Sequence, residues 1–522
     1  MDPIELTLFA SRVSAVCEEM GAQLQRAAFS PNVRDRLDYS CAVFGETGEL
    51  CAQAAHIPVH LGSMAFAMRG IVESVSWAPG DMVMLNDPFL GGTHLPDVTV
   101  IAPFYAEGHL GGFVANRAHH ADIGADTPGS MPVSRSLFEE GQVIPPTHVM
   151  RDGRVDDTLI ESITGATRNP RDARGDFAAQ IGANHRGLRR LAALVDGTGL
   201  SRYRQSLSAL NAYGERMATI ALDRIPRGVY TFADFLDDDG VGCTDIAIRV
   251  NIEVGDGKAS VDFDGTSPQV EGNLNCPLSV TAAGVYYVFR CLMPPATPAC
   301  AGTFRPIGLS APEGCLLNAR HPAAVAAGNV ETSTRIVDTV LGALAGALPE
   351  AVPAASHGSM NNVAAGSSDK PSWGYYETIG GGMGAGPSGG GLSGVQTHMT
   401  NTRNTPVEVL EGRYPLRVGR YEIRKGSGGD GKRAGGDGLV RELEFLDATQ
   451  FTLLTERRIR APWGLAGGRD ARPGSNYLNG RSLPAKYSGR ANAGDVLRIE
   501  TPGGGGWGVA AGGSSVTLPG TR

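Results

Sequence analysis

Lysine is scarce in this sequence, occurring only at Lys258, Lys370, Lys425, Lys432 and Lys486, and the formal net charge is −8. Nucleic-acid binders normally carry a basic face, so no nucleic-acid partner is expected. The eight cysteines (Cys17, Cys41, Cys51, Cys243, Cys276, Cys291, Cys300 and Cys315) form no C-x-x-C pair. That argues against a zinc ribbon and favours reduced, mostly buried thiols over a disulfide frame. The opening residues MDPIEL contain neither a basic region nor an apolar run, so a signal peptide is not expected. The most apolar stretch, residues 337–355, is broken by Asp338, Pro349 and Glu350, which argues against a membrane span. A cytoplasmic location is the default expectation.

Histidine is also sparse, at eleven in 522 residues. Four of these, His94, His109, His119 and His120, nevertheless fall in one glycine-flanked stretch, NDPFLGGTHLPDVTVIAPFYAEGHLGGFVANRAHHAD, residues 86–122. Asp97 and Asp122 are interleaved with them. Imidazoles and carboxylates at this density suit a metal or acid–base site. Histidines at strand ends also serve as hydrogen-bonded loop residues, and His109, beside glycines, is read that way. Asp38 stands at the entry to an earlier strand, where it is either a turn residue or a carboxylate aimed at a site. His56 and His60 have i, i+4 spacing, but Pro58 between them argues against a helix interior. They are read as supporting or structural groups.

Glycine is abundant, with 72 residues, about twice the usual share of ~7%. Many turns and close backbone approaches follow. Asp2, Pro3 and Glu5 are placed to cap a first helix that ends before Pro31. The next stretch, NVRDRLDYSCAVFGETGELCAQA, reads as a hairpin turning at residues 45–48. A helix is expected over residues 63–75, then a strand at DMVMLNDP, with residues 134–146 a loop or short helix lining a cleft. Residues 158–224 read as helical. Beyond Pro226 period-2 alternation takes over, and helical signals return at 281–292 and 330–348. Asp237–Asp239 lack a calcium-loop frame and read as a turn. YYETIGGGMGAGPSGGGLSG, residues 375–394, is either a flexible linker or an ordered, backbone-lined cavity. GSGGDGKR, residues 426–433, satisfies G-x-x-x-x-G-K, but Arg433 replaces the hydroxyl residue and no helix follows, so it reads as a turn rather than a phosphate loop. No fixed-period repeat is found. The expected fold is α+β and multi-domain. It comprises an N-terminal α/β metal-site domain (1–225), a mixed glycine-rich domain (226–420) and a mostly β C-terminal region (421–522).

The ordered motifs NVRDRLDYSCAVF, IPVHLGSM, NDPFLGGTHLPD, NRAHHADIG, GNVETSTRIVD, SGGDGKRAGGDG and TPGGGGWG make the chain resemble the hydantoinase B/oxoprolinase family over nearly its whole length. The resemblance implies the B-type component of an ATP-dependent hydrolase of cyclic amides such as hydantoins, 5-oxoproline or lactams. An A-type partner with a kinase-like fold would bind ATP and Mg²⁺ and phosphorylate the carbonyl oxygen. The B-type component would carry one divalent transition metal (Zn, Mn or Fe) to activate water. Carried over by motif, the metal ligands are Asp38, His94, Asp97 and His119. His120 and Asp122 are then supporting groups or a proton shuttle in catalysis. A hetero-oligomer is implied. Ala125, where relatives repeat a glycine, and residues 299–307, which lack an expected asparagine, bear on the substrate. The alternatives are a subunit of an ATP-dependent ketone carboxylase, a metal-free scaffolding subunit and an ATP-independent metallohydrolase.

Overall fold

The computed structural model describes residues 2–510 apart from Ala55 and Lys370; the last part of the expected C-terminal region, residues 511–522, lies outside them. The first helix, Pro3–Ala27, starts as its sequence dictates: the Asp2 carboxylate accepts from the Ile4 N–H, with Pro3 at the first helical position. Its apolar stripe (Val13, Val16, Cys17, Met20, Leu24) is buried. Gly187 of the long helix Pro170–Asp196 meets Met20 so closely that a Cβ there would lie 2.5 Å from the sulfur.

These helices cover a seven-stranded antiparallel sheet with spatial order Leu50–Gln53, Tyr39–Phe44, His109–His119, Asp97–Ala106, Met82–Leu85, Thr147–Arg151 and Arg154–Val155. Buried strand residues such as Val43, Val98, Val100 and Val114 join the helices in one core. The helix expected at 63–75 runs instead over Pro58–Ser74. Proline needs no partner for its missing N–H at a first position, so Pro58 starts this helix rather than breaking it.

The helices Asp157–Gly165, Pro170–Asp196 and Leu200–Leu222 fill the expected helical section. A second sheet follows Pro226, in the order Ile307–Ser310, Lys258–Asp262, Thr244–Gly255 and Gly228–Asp238. The helices Leu278–Leu292 and Ser333–Ala345 pack with it in the largest apolar core. Ser333–Ala345 is preceded by a five-residue π turn, Gly328–Thr332. A third sheet pairs Asn362–Ser367 with both Trp373–Glu377 and Thr449–Leu454, so chain on either side of residue 420 shares one sheet. The fourth sheet contains Leu416–Arg424, and the 420/421 division falls inside that strand. The fold is therefore a mixture of helices and several sheets, α+β as expected.

The glycine-rich stretches are ordered and buried against one another. Gly382 donates to Pro502, Ala385 to Gly505, Gly429 to Gly504, and Gly504 to Gly436. A Cβ on Gly435 would lie 1.8 Å from the Gly504 carbonyl oxygen, and one on Gly382 would lie 1.9 Å from that of Gly436. Only glycine permits this spacing. Of the two readings of residues 375–394, the ordered one holds, and GSGGDGKR is a turn followed by no helix. All eight cysteines are free, and Cys243 and Cys291 are the exposed ones. No helix among the described residues is long and apolar enough to cross a membrane.

Candidate metal centre

Strand register builds the centre. The hairpin Asp97–Ala106/His109–His119 turns at Glu107-Gly108, both at positive φ, and its pairing sets Asp97 directly opposite His119. Cross-strand neighbours on one face are in side-chain contact, and the His119 Nδ1 lies 3.0 Å from the Asp97 Oδ1. His94 joins through the tight turn before the strand, in which the Asp97 N–H donates to the His94 carbonyl. Its Nε2 lies 3.1 Å from the same Asp97 oxygen. Ligand atoms of His94, Asp97 and His119 lie within 4.8 Å of one another, and all three residues are buried. His109, at the exposed end of the hairpin, takes no part.

The other Asp97 oxygen is held from three sides. Thr93 donates its hydroxyl at 2.7 Å, the Asn329 amide donates at 3.3 Å, and the His60 Nε2 lies at 3.2 Å. His60 sits in the first turn of its helix, which the Pro58 start makes possible, and its Nδ1 meets the Ser40 hydroxyl at 3.4 Å. Burial would raise the Asp97 carboxyl, but the charges of His94 and His60 and the hydrogen bonds from His119 and His60 outweigh it and hold it well below the usual range. Burial pulls His94 down, yet Asp97 and the Ala326 carbonyl reverse this and leave it raised. His119 is lowered by burial in spite of Asp97.

The residues fit a cation. His94 Nδ1 lies 3.1 Å from the Ala326 carbonyl oxygen, which commits that nitrogen to its N–H form. In the neutral ring Nε2 is then a lone pair facing the Asp97 carboxylate, an acceptor against an acceptor. A proton or a cation resolves that contact, and an imidazole whose other nitrogen is bonded to a carbonyl is the usual arrangement of a metal-ligating histidine. His119 Nε2 is buried with no hydrogen-bond partner. Two imidazoles and a carboxylate are a donor set for a borderline divalent transition metal.

Asp38 lies beside this group but outside the mutually close set. Its carbonyl accepts from the His119 N–H at 3.0 Å, its carboxylate is 3.9 Å from Arg36, and its charge acts on His119. His120 follows His119 on a pleated strand end, so its side chain takes the opposite direction. Its Nε2 meets the Gln180 Oε1 at 3.0 Å and its ring stacks on Phe177 at 4.3 Å. Asp122 is engaged by the N–H groups of Gly124 and Arg168, the Ser130 hydroxyl and the Arg168 guanidinium. The structure therefore brings His94, Asp97 and His119 together, keeps Asp38 adjacent, and places His120 and Asp122 in separate hydrogen-bond networks.

Several participants carry no mark of their own in the sequence. Asn329, in GNVETSTRIVD, reaches His94 Nε2 at 3.0 Å as well as Asp97, and the wide π turn presents it. Tyr376 stacks on His119 with ring centroids 4.5 Å apart. Glu140, in the expected cleft-lining segment, accepts from the N–H groups of Val325 and Ala326 and so fixes the carbonyl that holds His94. Burial, partly offset by these bonds, pushes its carboxyl up to about 7. For Asn329 and Glu140 the only signal is membership in motifs or segments already noted.

Fold and site together define a mixed α+β protein built around a buried His/Asp candidate metal centre. The hydantoinase B/oxoprolinase family profile matches residues 2–510, and the chain belongs to that family. It is 41% identical to 5-oxoprolinase 1 of Arabidopsis thaliana over 97% of this chain, which spans 42% of that longer protein. It is 32% identical to a Pseudomonas sp. protein named as the B-type component of a D-/L-hydantoinase, covering 97% of this chain and 90% of the relative. The crystal structure of an ATP-dependent caprolactamase from Pseudomonas jessenii superposes with a TM-score of 0.91 at 27% identity, covering 98% of this chain and 91% of the other. The nucleotide-free structure of an acetone carboxylase shares the fold, with a TM-score of 0.88 at 19% identity over 97% of this chain and 76% of that one.

Proposed function

We propose that this chain is the metal-bearing B-type component of an ATP-dependent cyclic-amide hydrolase, acting in the cytoplasm with an A-type partner that phosphorylates the carbonyl oxygen. His94, Asp97 and His119 hold one divalent ion (Zn, Mn or Fe), with Asp38 as the fourth ligand. The observation that carries this reading is the His94 Nε2–Asp97 Oδ1 contact at 3.1 Å, with Nδ1 already committed to the Ala326 carbonyl. When bound, the ion supplies Lewis acidity that makes water ionisable near neutral pH.

The chain's own residues do the rest. Thr93 and Asn329 fix the Asp97 carboxylate by donating to one of its oxygens. Glu140 and Ala326 fix the His94 ring. Tyr376 covers His119 and excludes water from that face. His120 and Asp122, bonded to Gln180 and Arg168, are assigned as positioning groups for the strand end that carries His119. The division into a metal-site region (1–225) and two further regions (226–420 and 421–522) is retained in this reading as an order along the chain. The hydantoinase name of one relative and the ATP dependence of the caprolactamase support it.

The test is reconstitution. The purified chain alone is expected to open no lactam or hydantoin ring. Adding an A-type partner with ATP and Mg²⁺ is expected to give ring opening with ADP release, and elemental analysis to show stoichiometric transition metal. Ring opening by the lone chain without nucleotide, or only trace metal in active preparations, overturns the reading.

A further inference from the structure

A cavity of about 600 Å³ lies between the start of the helix Pro58–Ser74, the helix Leu278–Leu292 and the segment 396–401. That volume is within the range of small-molecule sites. None of His94, Asp97 and His119 lines it. The short segment Ile57–Leu61 separates the two: Pro58 and Leu61 face the cavity, while the His60 ring between them reaches Asp97. This partition is fixed at both ends, by the Ile57 N–H donating to the Ser40 hydroxyl and the Val59 N–H donating to the Met399 carbonyl.

Much of the wall is apolar and aromatic. Tyr286 stacks on Phe304 with ring centroids 4.4 Å apart, and Leu292 and Leu341 are neighbouring wall residues. The polar residues of the wall carry an unusual set of unused atoms. Gln53 Oε1, His56 Nδ1, Gln396 Oε1 and His398 Nε2 are all buried and without a hydrogen-bond partner. The Gln396 assignment is fixed, because its Nε2 donates to the Thr378 hydroxyl at 3.1 Å. The His398 side chain is 9% exposed, and its Nε2, 3.5 Å from the Asp338 Oδ1, makes no hydrogen bond with it. Burial, and then the charge of His60, pull His56 down to about 4, so its ring is neutral at pH 7 and one nitrogen is an acceptor. Buried polar atoms in native proteins normally have partners. A group of them in one cavity wall marks where donors of a ligand belong.

The wall also says what the ligand lacks. Arg290 is the only guanidinium of the wall, and it is committed to the carbonyls of Pro294, Pro295 and Thr297. A carboxylate in the cavity would meet unpaired amide oxygens and no free cationic partner from an arginine.

We propose that this cavity binds an uncharged cyclic ureide or lactam bearing an apolar substituent, its ring N–H groups donating to Gln53, Gln396 and His56 and its substituent lying against Tyr286 and Phe304. The ring class rests on the proposed function; the preference for an uncharged, N–H-bearing ligand rests on the wall alone. The cavity is a holding site, one segment removed from the candidate metal centre. A ligand entering it rotates the glutamine side chains slightly to bring their oxygens to the surface.

The test is direct binding to the full chain by calorimetry, without partner or ATP, so that it does not depend on turnover. 5-Benzylhydantoin is the probe, its 1,3-dimethyl derivative removes both N–H donors, and 5-oxoproline adds a carboxylate. The probe is expected to bind, and the other two to bind at least tenfold more weakly. Gln396→Leu and, independently, Gln53→Leu are expected to weaken the probe at least tenfold with an unchanged circular dichroism spectrum, while His119→Gln leaves its affinity unchanged. No binding of the probe, equal binding of the dimethyl derivative, or loss of binding in His119→Gln with retention in both glutamine variants overturns the proposal. A chain that binds as expected but shows no ATP-dependent ring opening in reconstitution leaves the cavity standing and removes the proposed function.

Discussion

Asp97 and Glu456 are both buried carboxylates with fully covered side chains, but their surroundings differ. Asp97 faces the imidazoles of His60, His94 and His119. Glu456 faces Lys486 and Arg335, and the pairing continues from Arg335 to Asp234, from Asp234 to Arg457, and from Arg457 to Asp338 at 2.7 Å. In the second cluster each charge has a permanent opposite charge. In the first, the partners of the carboxylate are groups that are cationic only when protonated, and an acceptor faces an acceptor. Buried ion pairs that close on themselves hold segments together, and removing one member leaves an uncompensated charge. A cluster short of positive charge is instead built to receive it. The π turn Gly328–Thr332 stands between them, Asn329 donating to Asp97 and Glu331 accepting from Asn362 and Met360.

The contrast breaks first at Asp97. Asp97→Ala is expected to lose nearly all bound transition metal by elemental analysis and at least about 100-fold of ADP-coupled ring opening with the partner present, while its circular dichroism spectrum stays that of the parent. Retained metal would make the two clusters equivalent.

Arg457→Met tests the other side. It strands Asp234 and Asp338, and equilibrium denaturation is expected to show a loss of about 3–5 kcal/mol with unchanged metal per folded chain. A loss of metal without a loss of stability would reverse the assignment.

Glu331 sharpens the comparison through pH. Burial, and then the charge of Glu456, push its carboxyl from 4.5 up to about 8. The folded chain therefore keeps a proton that the unfolded chain has already released, and this contribution to stability falls as pH rises from about 4.5 to about 8. Glu331→Gln is expected to flatten that fall by on the order of 3 kcal/mol, read from denaturation midpoints across the window. The smallest effect belongs to His109→Ala: a stability change within about 0.5 kcal/mol and no change in metal content. This outcome would confirm that histidine density in the hairpin is not itself the site.

Local patterns in the chain are readable wherever short-range chemistry decides structure. The Asp2 cap, the 45–48 turn and the hairpin between Asp97 and His119 follow from neighbours within a few residues, and the hairpin register alone brings Asp97 to His119. Pro58 misleads, because a proline between two histidines reads as a break until its position in the helix is known. The roles of Asn329 and Tyr376 depend on the fold bringing positions more than 200 residues away onto one carboxylate and its histidine partner, and no periodicity encodes that. The second cluster is illegible for the same reason, since Asp234, Arg335, Glu456 and Lys486 share no local pattern. Sheet membership across residue 420 likewise depends on pairings between Asn362–Ser367 and Thr449–Leu454 that no local pattern announces.

The glycine layer bears on how the chain reaches this state. Residues 502–508 exchange backbone hydrogen bonds with Ala355, Gly382, Ala385, Gly429, Arg433, Gly436, Leu465 and Arg469, contacts spanning roughly 35 to 150 positions of sequence. Glycine surrenders more backbone freedom on ordering than any other residue, and long loops must close before such contacts form. A half-formed layer gains little, because a strand without side chains has only its hydrogen bonds to offer and needs neighbours on several sides to make them. The layer therefore assembles late and all at once. It places the rate-limiting closure of folding in a part of the molecule remote in sequence from the histidines, and a chain stalled before that step already holds the hairpin that carries Asp97 and His119.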